Sequence, residues 1–384
     1  MAERVEVRPQ MFAWARARAR LDVDDLIRRF PRLPDWEAGD ALPTLRQLEA
    51  YAAATHAPIG VLLLEEPPEE PVPIRDFRTR DRRPVQTPSA NLLDTIYLCQ
   101  ARQDWYRDHL RVTQEDPLPC VGSVHVGADV VDTAAAIRTA LGFDLDARRQ
   151  ASTWEDALRA FIQQAEDAGI LVMRSGIVGN NTHRSLDLDE FRGFTLADAL
   201  APVVFVNGAD TKSGQMFTLA HELVHVWSGE TGLSDEDPRF LDAVGTEAWC
   251  DAVAAEFLVP AEGMRLAFDR TRPIGGEIRR LARRFKVSTL VILRRIFDIG
   301  GLNRTAFWQA YEAELERLRA LGDQGAGGGN FHLTEAARVS RRFARAIISS
   351  TLEGQTLYRD AFRMLGISKM GTFRDFGQTI GVAV

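Results

Sequence analysis

Two histidines four residues apart are the side chains of this sequence best placed to do chemistry. His221 and His225 lie in the stretch TLAHELVHVW at residues 218–227. On a helix, residues four apart project from one face, so both imidazoles can bind a single zinc ion. Glu222 can reach a zinc-bound water without being a ligand, which a general base for hydrolysis requires. Zinc lowers the pKa of such a water, so attack becomes feasible near neutral pH.

A bare H-E-x-x-H pattern also arises by chance or from packing, so its surroundings decide between these interpretations. The motif falls on a predicted helix over residues 215–227, directly after predicted strands. Apolar residues surround it: Phe217, Leu219, Ala220, Leu223 and Val224. An amphipathic helix beside a small sheet is the setting expected for a catalytic metal site, and it favours the functional interpretation.

A catalytic zinc ion needs a third protein ligand and one open position. Glu247, at the start of a predicted helix over residues 246–258, is the best candidate. Asp251 stands one turn further along the same face, where it can accept the second ring N–H of a ligating histidine. Most acids on helices are simply solvated, and only the paired histidine motif favours the metal-site interpretation here.

The composition indicates a soluble globular protein of several domains. The chain has 384 residues, of which 45% are hydrophobic and 26% charged, and a single core rarely extends over this length. Its apolar stretches are too short to cross a bilayer and the N-terminus lacks the apolar core of a secretion signal, so we expect a cytoplasmic protein with no membrane partner. Three dispersed cysteines suggest neither disulfides nor a thiolate zinc site.

The elements predict an α+β fold that is mainly helical. We expect an N-terminal helical module at residues 1–66, a linker and helical connector at 67–148, a zincin-like peptidase domain with a small sheet at 149–302, and a C-terminal helical region at 303–384. Asp22 is a predicted N-cap in the first module. The stretch EEPPEEPVP at residues 65–73 marks the linker, and residues 366–384 form a tail without predicted elements.

The central region resembles the ImmA/IrrE family of zinc metallo-endopeptidases. The similarity covers TLAHELxH at residues 218–225, ExxCD at 247–251 and AAEFLVP at 254–260, with sheet segments FRGF at 191–194 and FVN at 205–207. It implies a compact peptidase whose Zn²⁺ ligands are His221, His225 and Glu247. Where many members carry an arginine before the active helix, this chain has Gln215, Met216 and Phe217.

That resemblance also implies biological partners. Members of the family commonly cut a DNA-bound repressor after a stress signal in bacteria or phages, and some accompany toxin genes. We therefore expect a protein substrate that is a regulatory DNA-binding protein or a toxin-system partner.

The N-terminal module resembles an Xre-type helix-turn-helix domain, through Leu26, the WExG stretch at residues 36–39, and the PTLRQL stretch at 43–48. About one helical turn is missing between Leu26 and Trp36, and acids there would repel phosphates. DNA binding and protein contact both remain open for this module. A second helix-turn-helix-like stretch at residues 278–295 is arginine-rich, but in this family such a stretch more often packs on the peptidase core.

Two further features have more than one interpretation. His183 and His332 could stabilise an oxyanion, although a structural role is favoured for each. The strand predicted at residues 201–208 is either an edge to which an extended peptide could add or a plain sheet strand.

Two functional hypotheses follow. The first is a zinc endopeptidase that cleaves a regulatory protein, repressor or antitoxin-like, in a bacterial or phage stress system. The second is a DNA-binding regulator or antitoxin that uses the peptidase fold mainly to bind a partner toxin.

Overall fold

The structure, a computed structural model, describes residues 4–77, 87–143, 145–234, 245–322 and 336–383. The chain divides into two compact units, one formed by residues 1–73 with 79–97 and the other by residues 74–78 with 98–384. Among the described residues, none of the helices combines the length and apolar character needed to cross a membrane.

Residues 4–73 of the first unit form four helices and a short 3-10 turn at Val61–Leu63. The helices are α1 (Pro9–Arg18), α2 (Val23–Arg29), α3 (Leu33–Ala38) and α4 (Leu45–Thr55). Asp22 caps α2 by accepting hydrogen bonds from the amides of Asp24 and Asp25, which confirms the predicted N-cap. Phe12, Trp36 and Tyr51 pack their rings together in the core of this unit.

Helix α3 is a short helix with one side packed into the core of this unit. It has six residues, and Gly39 ends it in the left-handed conformation. Leu33 and Trp36 point into the core, while Asp35 lies on the exposed side beside Arg32. This segment, where the resemblance to a helix-turn-helix domain implies the recognition helix, is thus under two turns long, and DNA binding by this unit remains one of two open predictions.

The remaining described helices follow in chain order. They are α5 (Ala90–Val112), α6 (Val130–Leu141), α7 (Leu145–Gln150), α8 (Trp154–Asp167), α9 (Lys212–Ser228), α10 (Thr246–Leu258), α11 (Ala261–Ala267), α12 (Ile274–Phe285), α13 (Thr289–Asp298), α14 (Arg304–Gly322), α15 (Arg341–Leu352), α16 (Tyr358–Leu365) and α17 (Met370–Thr379). The expectation of a tail without elements was wrong, because α17 buries Phe373 and Phe376.

A four-stranded mixed sheet lies in the second unit. Its strands are β1 (Leu171–Ser175), β2 (Gly193–Leu196), β3 (Val203–Asn207) and β4 (Gly232–Ser234), in the order β1-β3-β2-β4. Strand β3 pairs with β1 in parallel and with β2 antiparallel. The edge-strand interpretation of residues 201–208 was therefore wrong, since both sides of β3 are paired and all five of its residues are buried. The mainly helical α+β prediction is confirmed.

Helix α9 lies at the centre of this unit's hydrophobic core. Its apolar residues share one cluster with residues of α10, α12 and α13, among them Leu219, Leu223, Val253, Leu281 and Ile292. The arginine-rich stretch at residues 278–295 thus packs into the core through its apolar face. Arg295 is itself buried, where it pairs with Glu256 and donates to the Val259 carbonyl oxygen at 2.9 Å.

Candidate metal centre

Helix α9 is capped at both of its ends. Thr211 accepts a hydrogen bond from the Gly214 amide at the N-terminus, and Gly229 ends the helix in the left-handed conformation. His221, Glu222 and His225 are fully buried on this helix. Their side chains are therefore set by packing rather than by solvent.

The two histidines and Glu247 converge on one point. The Nε2 atoms of His221 and His225 lie 3.1 Å apart. The Glu247 carboxylate, brought by the first turn of α10, lies 3.4 Å from His221 Nε2 and 3.3 Å from His225 Nε2. One potential ligand atom from each residue lies within 4.8 Å of the others. The structure thus brings together the three residues that the sequence analysis singled out.

This arrangement fits a metal ion better than a hydrogen-bonded cluster. Both Glu247 oxygens are buried and have no hydrogen-bond partner among the described residues, and two ring nitrogens face each other. Buried polar atoms without partners are costly, and a cation would satisfy all of them at once. Two imidazole nitrogens with one carboxylate form a donor set that suits Zn²⁺ and leaves a fourth position open.

The Glu247 carboxylate is held in its charged form. Burial alone would raise the pKa of Glu247, but its contacts with His221 and His225 outweigh burial and hold that pKa well below its usual range. A carboxylate that stays ionised is ready to bind a cation without first losing a proton.

The other ring nitrogen of each histidine also has a neighbour. His221 Nδ1 lies 2.9 Å from Asp251 Oδ1, and His225 Nδ1 lies 3.9 Å from the Cys250 sulfur. Such contacts orient the rings so that their Nε2 atoms face the shared point. Asp251 stands where the sequence analysis expected it. Cys250, for which the sequence suggested no role in a metal site, is buried and contacts His225.

Glu222 lies against strand β2. Thr195 Oγ1 is 2.6 Å from Glu222 Oε2 and donates to it, whereas Glu222 Oε1 is buried without a hydrogen-bond partner among the described residues. Burial raises the pKa of this carboxyl group above its ordinary value. One oxygen is therefore fixed and the other is available to take up a proton.

Close packing around Glu222 depends on a glycine. A Cβ atom added to Gly193 would lie 2.8 Å from Glu222 Oε1 and 2.6 Å from Thr218 Cγ2. Neither Gly193 nor Thr195 was singled out from the sequence. The sheet segment at residues 191–194 contains Gly193 and is followed by Thr195, but no local pattern reveals that this strand lies against helix α9 at Glu222.

Two more residues lie beside His225, and one of them is on strand β4. Ser234 Oγ lies 3.4 Å from His225 Nε2, and the Phe77 ring stacks on the His225 ring with centroids 5.2 Å apart. Neither was expected from the sequence. Of the two histidines considered for oxyanion stabilisation, His183 is exposed and is not part of the clustered group among the described residues. His332 lies outside the described residues.

The fold and the clustered side chains have the character of a metallopeptidase-like domain, and comparison with known families agrees. Residues 165–297 match the peptidase M78 family, described as the IrrE N-terminal-like domain. Residues 339–379 match a family described as a domain of unknown function, DUF8813. A comparison with curated proteins finds no match. The first match supports a metallopeptidase-like function for the region that contains α9 and α10.

Proposed function

We propose that the protein is a zinc-dependent endopeptidase with His221, His225 and Glu247 as metal ligands and Glu222 as general base. The observation that carries the proposal is the convergence of two imidazole nitrogens and an unpartnered buried carboxylate on one point. The match of residues 165–297 to a peptidase family supports it.

Several residues of the chain have distinct roles in the proposed peptide hydrolysis. Bound zinc would supply Lewis acidity, which polarises the scissile carbonyl and lowers the pKa of a water molecule. Glu222 takes a proton from the attacking water at Oε1, while Thr195 holds Oε2 in place. Glu222 then delivers that proton to the leaving amine. Asp251 keeps His221 oriented as a ligand.

The substrate in this proposal is a regulatory protein, such as a repressor or an antitoxin-like partner. The similarity of the motifs on α9 and α10 to ImmA/IrrE peptidases supports this class of substrate. In this proposal the protein cleaves its partner in the cytoplasm, and no membrane component takes part in the reaction.

The test is a substrate trap. Glu222→Gln keeps the shape of the side chain but removes the base, so bound substrate is not cleaved. We expect this variant to retain a partner protein that the parent protein cleaves, and to bind zinc like the parent. Glu262→Gln, at an exposed position of α11, is the matched control. Purified protein that binds no zinc, or a Glu222→Gln variant with full biological effect, would overturn the proposal.

One observation favours a second candidate, a DNA-binding regulator that acts through its first unit. Four arginines, Arg4, Arg29, Arg32 and Arg46, line one pocket of that unit with Thr44 and Gln47. Guanidinium groups bind phosphates well. This candidate predicts salt-dependent, sequence-selective binding to the protein's own promoter that is weakened by Arg46→Ala and is indifferent to Glu222→Gln.

A further inference from the structure

The outer edge of strand β4 is occupied by a segment from elsewhere in the chain. Strand β2 pairs with one side of β4. On the other side the Leu233 amide donates to the Arg75 carbonyl oxygen at 2.9 Å, and Asp76 forms a parallel bridge with Leu233. Residues 75–77 therefore lie against this sheet edge through one isolated bridge; we call them the strap.

Phe77 anchors the strap beside the candidate metal centre. Its side chain is only 5% exposed, and its ring is nearly parallel to that of His225, with an interplanar angle of 15°. The ring also lies directly on Gly232, where an added Cβ would be 1.9 Å from Phe77 Cε2. Gly232 thus creates the space that an aromatic side chain fills against a candidate ligand.

The outer contacts of the strap are weaker than its anchor. The Arg75 guanidinium lies 4.9 Å from the Phe77 ring centroid and 3.8 Å from a Glu230 carboxylate oxygen. The Arg75 side chain is more than half exposed, so this ion pair contributes little to stability. The contacts described for the strap include one aromatic ring packed on His225, one backbone hydrogen bond, the bridge at Asp76 and a weak charge pair.

A peptide bound to an endopeptidase would make the same kinds of contact. Extended peptides bind to sheet edges through main-chain hydrogen bonds, and their side chains enter pockets that give specificity. Within the described residues, strand β2 leaves one side of β4 unpaired. On that side the strap makes a main-chain hydrogen bond and also places a side chain in a pocket. Strand β3, by contrast, has no free side.

We propose that this edge of β4 is the substrate-binding edge, and that the strap closes it as an intramolecular peptide. The inference rests on the proposed peptidase function. Its substrate class is an extended peptide that presents an aromatic side chain to the space above Gly232, where Phe77 now lies. A substrate binds only when the strap leaves, so the apparent affinity falls with the fraction of molecules in which the strap is open.

The experiment measures peptide binding without catalysis. The probe is a fluorescent synthetic peptide that copies residues 72–77, with blocked ends, and every protein carries Glu222→Gln so that nothing is cleaved. Phe77→Ala removes the anchor and should bind the probe at least about tenfold more tightly than the parent, as expected if the strap is closed in roughly nine molecules of ten. Phe362→Ala, whose ring packs on Tyr358 and Phe373, is the matched control and should bind like the parent.

A second variant tests the proposal in case Phe77→Ala does not fold. Arg75→Ala changes an exposed side chain and should tighten probe binding by about threefold, because it weakens the closed strap only in part. If Phe77→Ala binds the probe no better than Phe362→Ala, or if Phe77→Ala does not fold and Arg75→Ala matches the parent, the strap proposal is overturned.

Zinc content and cleavage separate this proposal from the function on which it rests. Both are measured for matching proteins that retain Glu222. An affinity gain in Phe77→Ala without zinc or cleavage would support the closed edge and count against the peptidase. Normal zinc content and cleavage without an affinity gain would count against the strap alone.

Discussion

The hydroxyl of Thr195 lies 2.6 Å from Oε2 of Glu222, and both residues are completely buried. The contact joins strand β2 to the central helix at the residue that we propose as the general base. A hydrogen bond to a charged group contributes about 1.5–3 kcal/mol, so its effect on the reaction is measurable.

Thr195→Val keeps the shape of the side chain but removes the donor. We expect kcat to fall by about 10- to 100-fold, since that hydrogen bond no longer fixes the carboxylate, while KM and zinc content stay near the parent values. Thr195→Ser should recover most of the activity. Steady-state kinetics on a substrate identified by the trap provide the measurement. An equal loss in the serine variant would contradict the positioning role.

Gly193→Ala tests how closely Glu222 is packed. The new methyl group would lie 2.8 Å from Glu222 Oε1 and 2.9 Å from the Phe205 carbonyl oxygen, so the backbone or the carboxylate must move. We expect a loss of about 1–3 kcal/mol in the free energy of unfolding, together with a lower kcat. Gly263→Ala, which has open space around it in helix α11, should leave kcat unchanged and raise the free energy of unfolding by about 0.5–1 kcal/mol, because alanine favours a helix over glycine. Denaturant unfolding measures the free energy of unfolding of both variants. Equal values would contradict this prediction.

Zinc affinity should depend on Glu247 and, less strongly, on Asp251. Glu247→Gln replaces one charged oxygen ligand, so we expect most of the bound zinc to be lost during dialysis. Asp251→Asn weakens only the contact to His221 Nδ1, and the expected loss in affinity is about 10- to 100-fold. Titration against a competing chelator measures both. Full zinc retention by Glu247→Gln would exclude this carboxylate as a ligand.

Arg295 should act on stability rather than on nucleic acid. Its guanidinium is buried against Glu256 and the end of α10, so Arg295→Met leaves the buried Glu256 carboxylate without this ion-pair partner, although the Ala261 amide still donates to it. We expect a cost of about 3–5 kcal/mol, and a smaller one when Glu256→Met is added. Arg294→Met, at a partly exposed position, is the control. Thermal or denaturant unfolding measures the stability of each variant. Equal stability of Arg295→Met and Arg294→Met would contradict this role.

Local patterns predicted the helix that carries the chemistry, because a four-residue spacing is a property of one helix turn. Helical spacing also placed Glu247 and Asp251 one turn apart on one face of the predicted helix over residues 246–258. The presence of Thr195, Gly193 and Phe77 at this centre could not be predicted from local patterns, since strand order and register arise from contacts between distant segments.

Short elements were missed for a related reason. Strand β4 has three residues, too few to show an alternating pattern, and an edge was considered only for residues 201–208, beside the alternative of a plain sheet strand. The apolar run there is as consistent with an interior strand as with an edge, and only pairing with β1 on one side and β2 on the other decides between them.

The most direct test of the peptidase proposal is a crystal structure of the zinc-loaded protein with anomalous scattering data collected at the zinc edge. We expect one strong peak at about 2.0–2.2 Å from His221 Nε2, His225 Nε2 and a Glu247 carboxylate oxygen, with Glu222 close to it but not bound. No peak at this position, or a zinc ion bound by Glu222 in place of Glu247, would contradict the account.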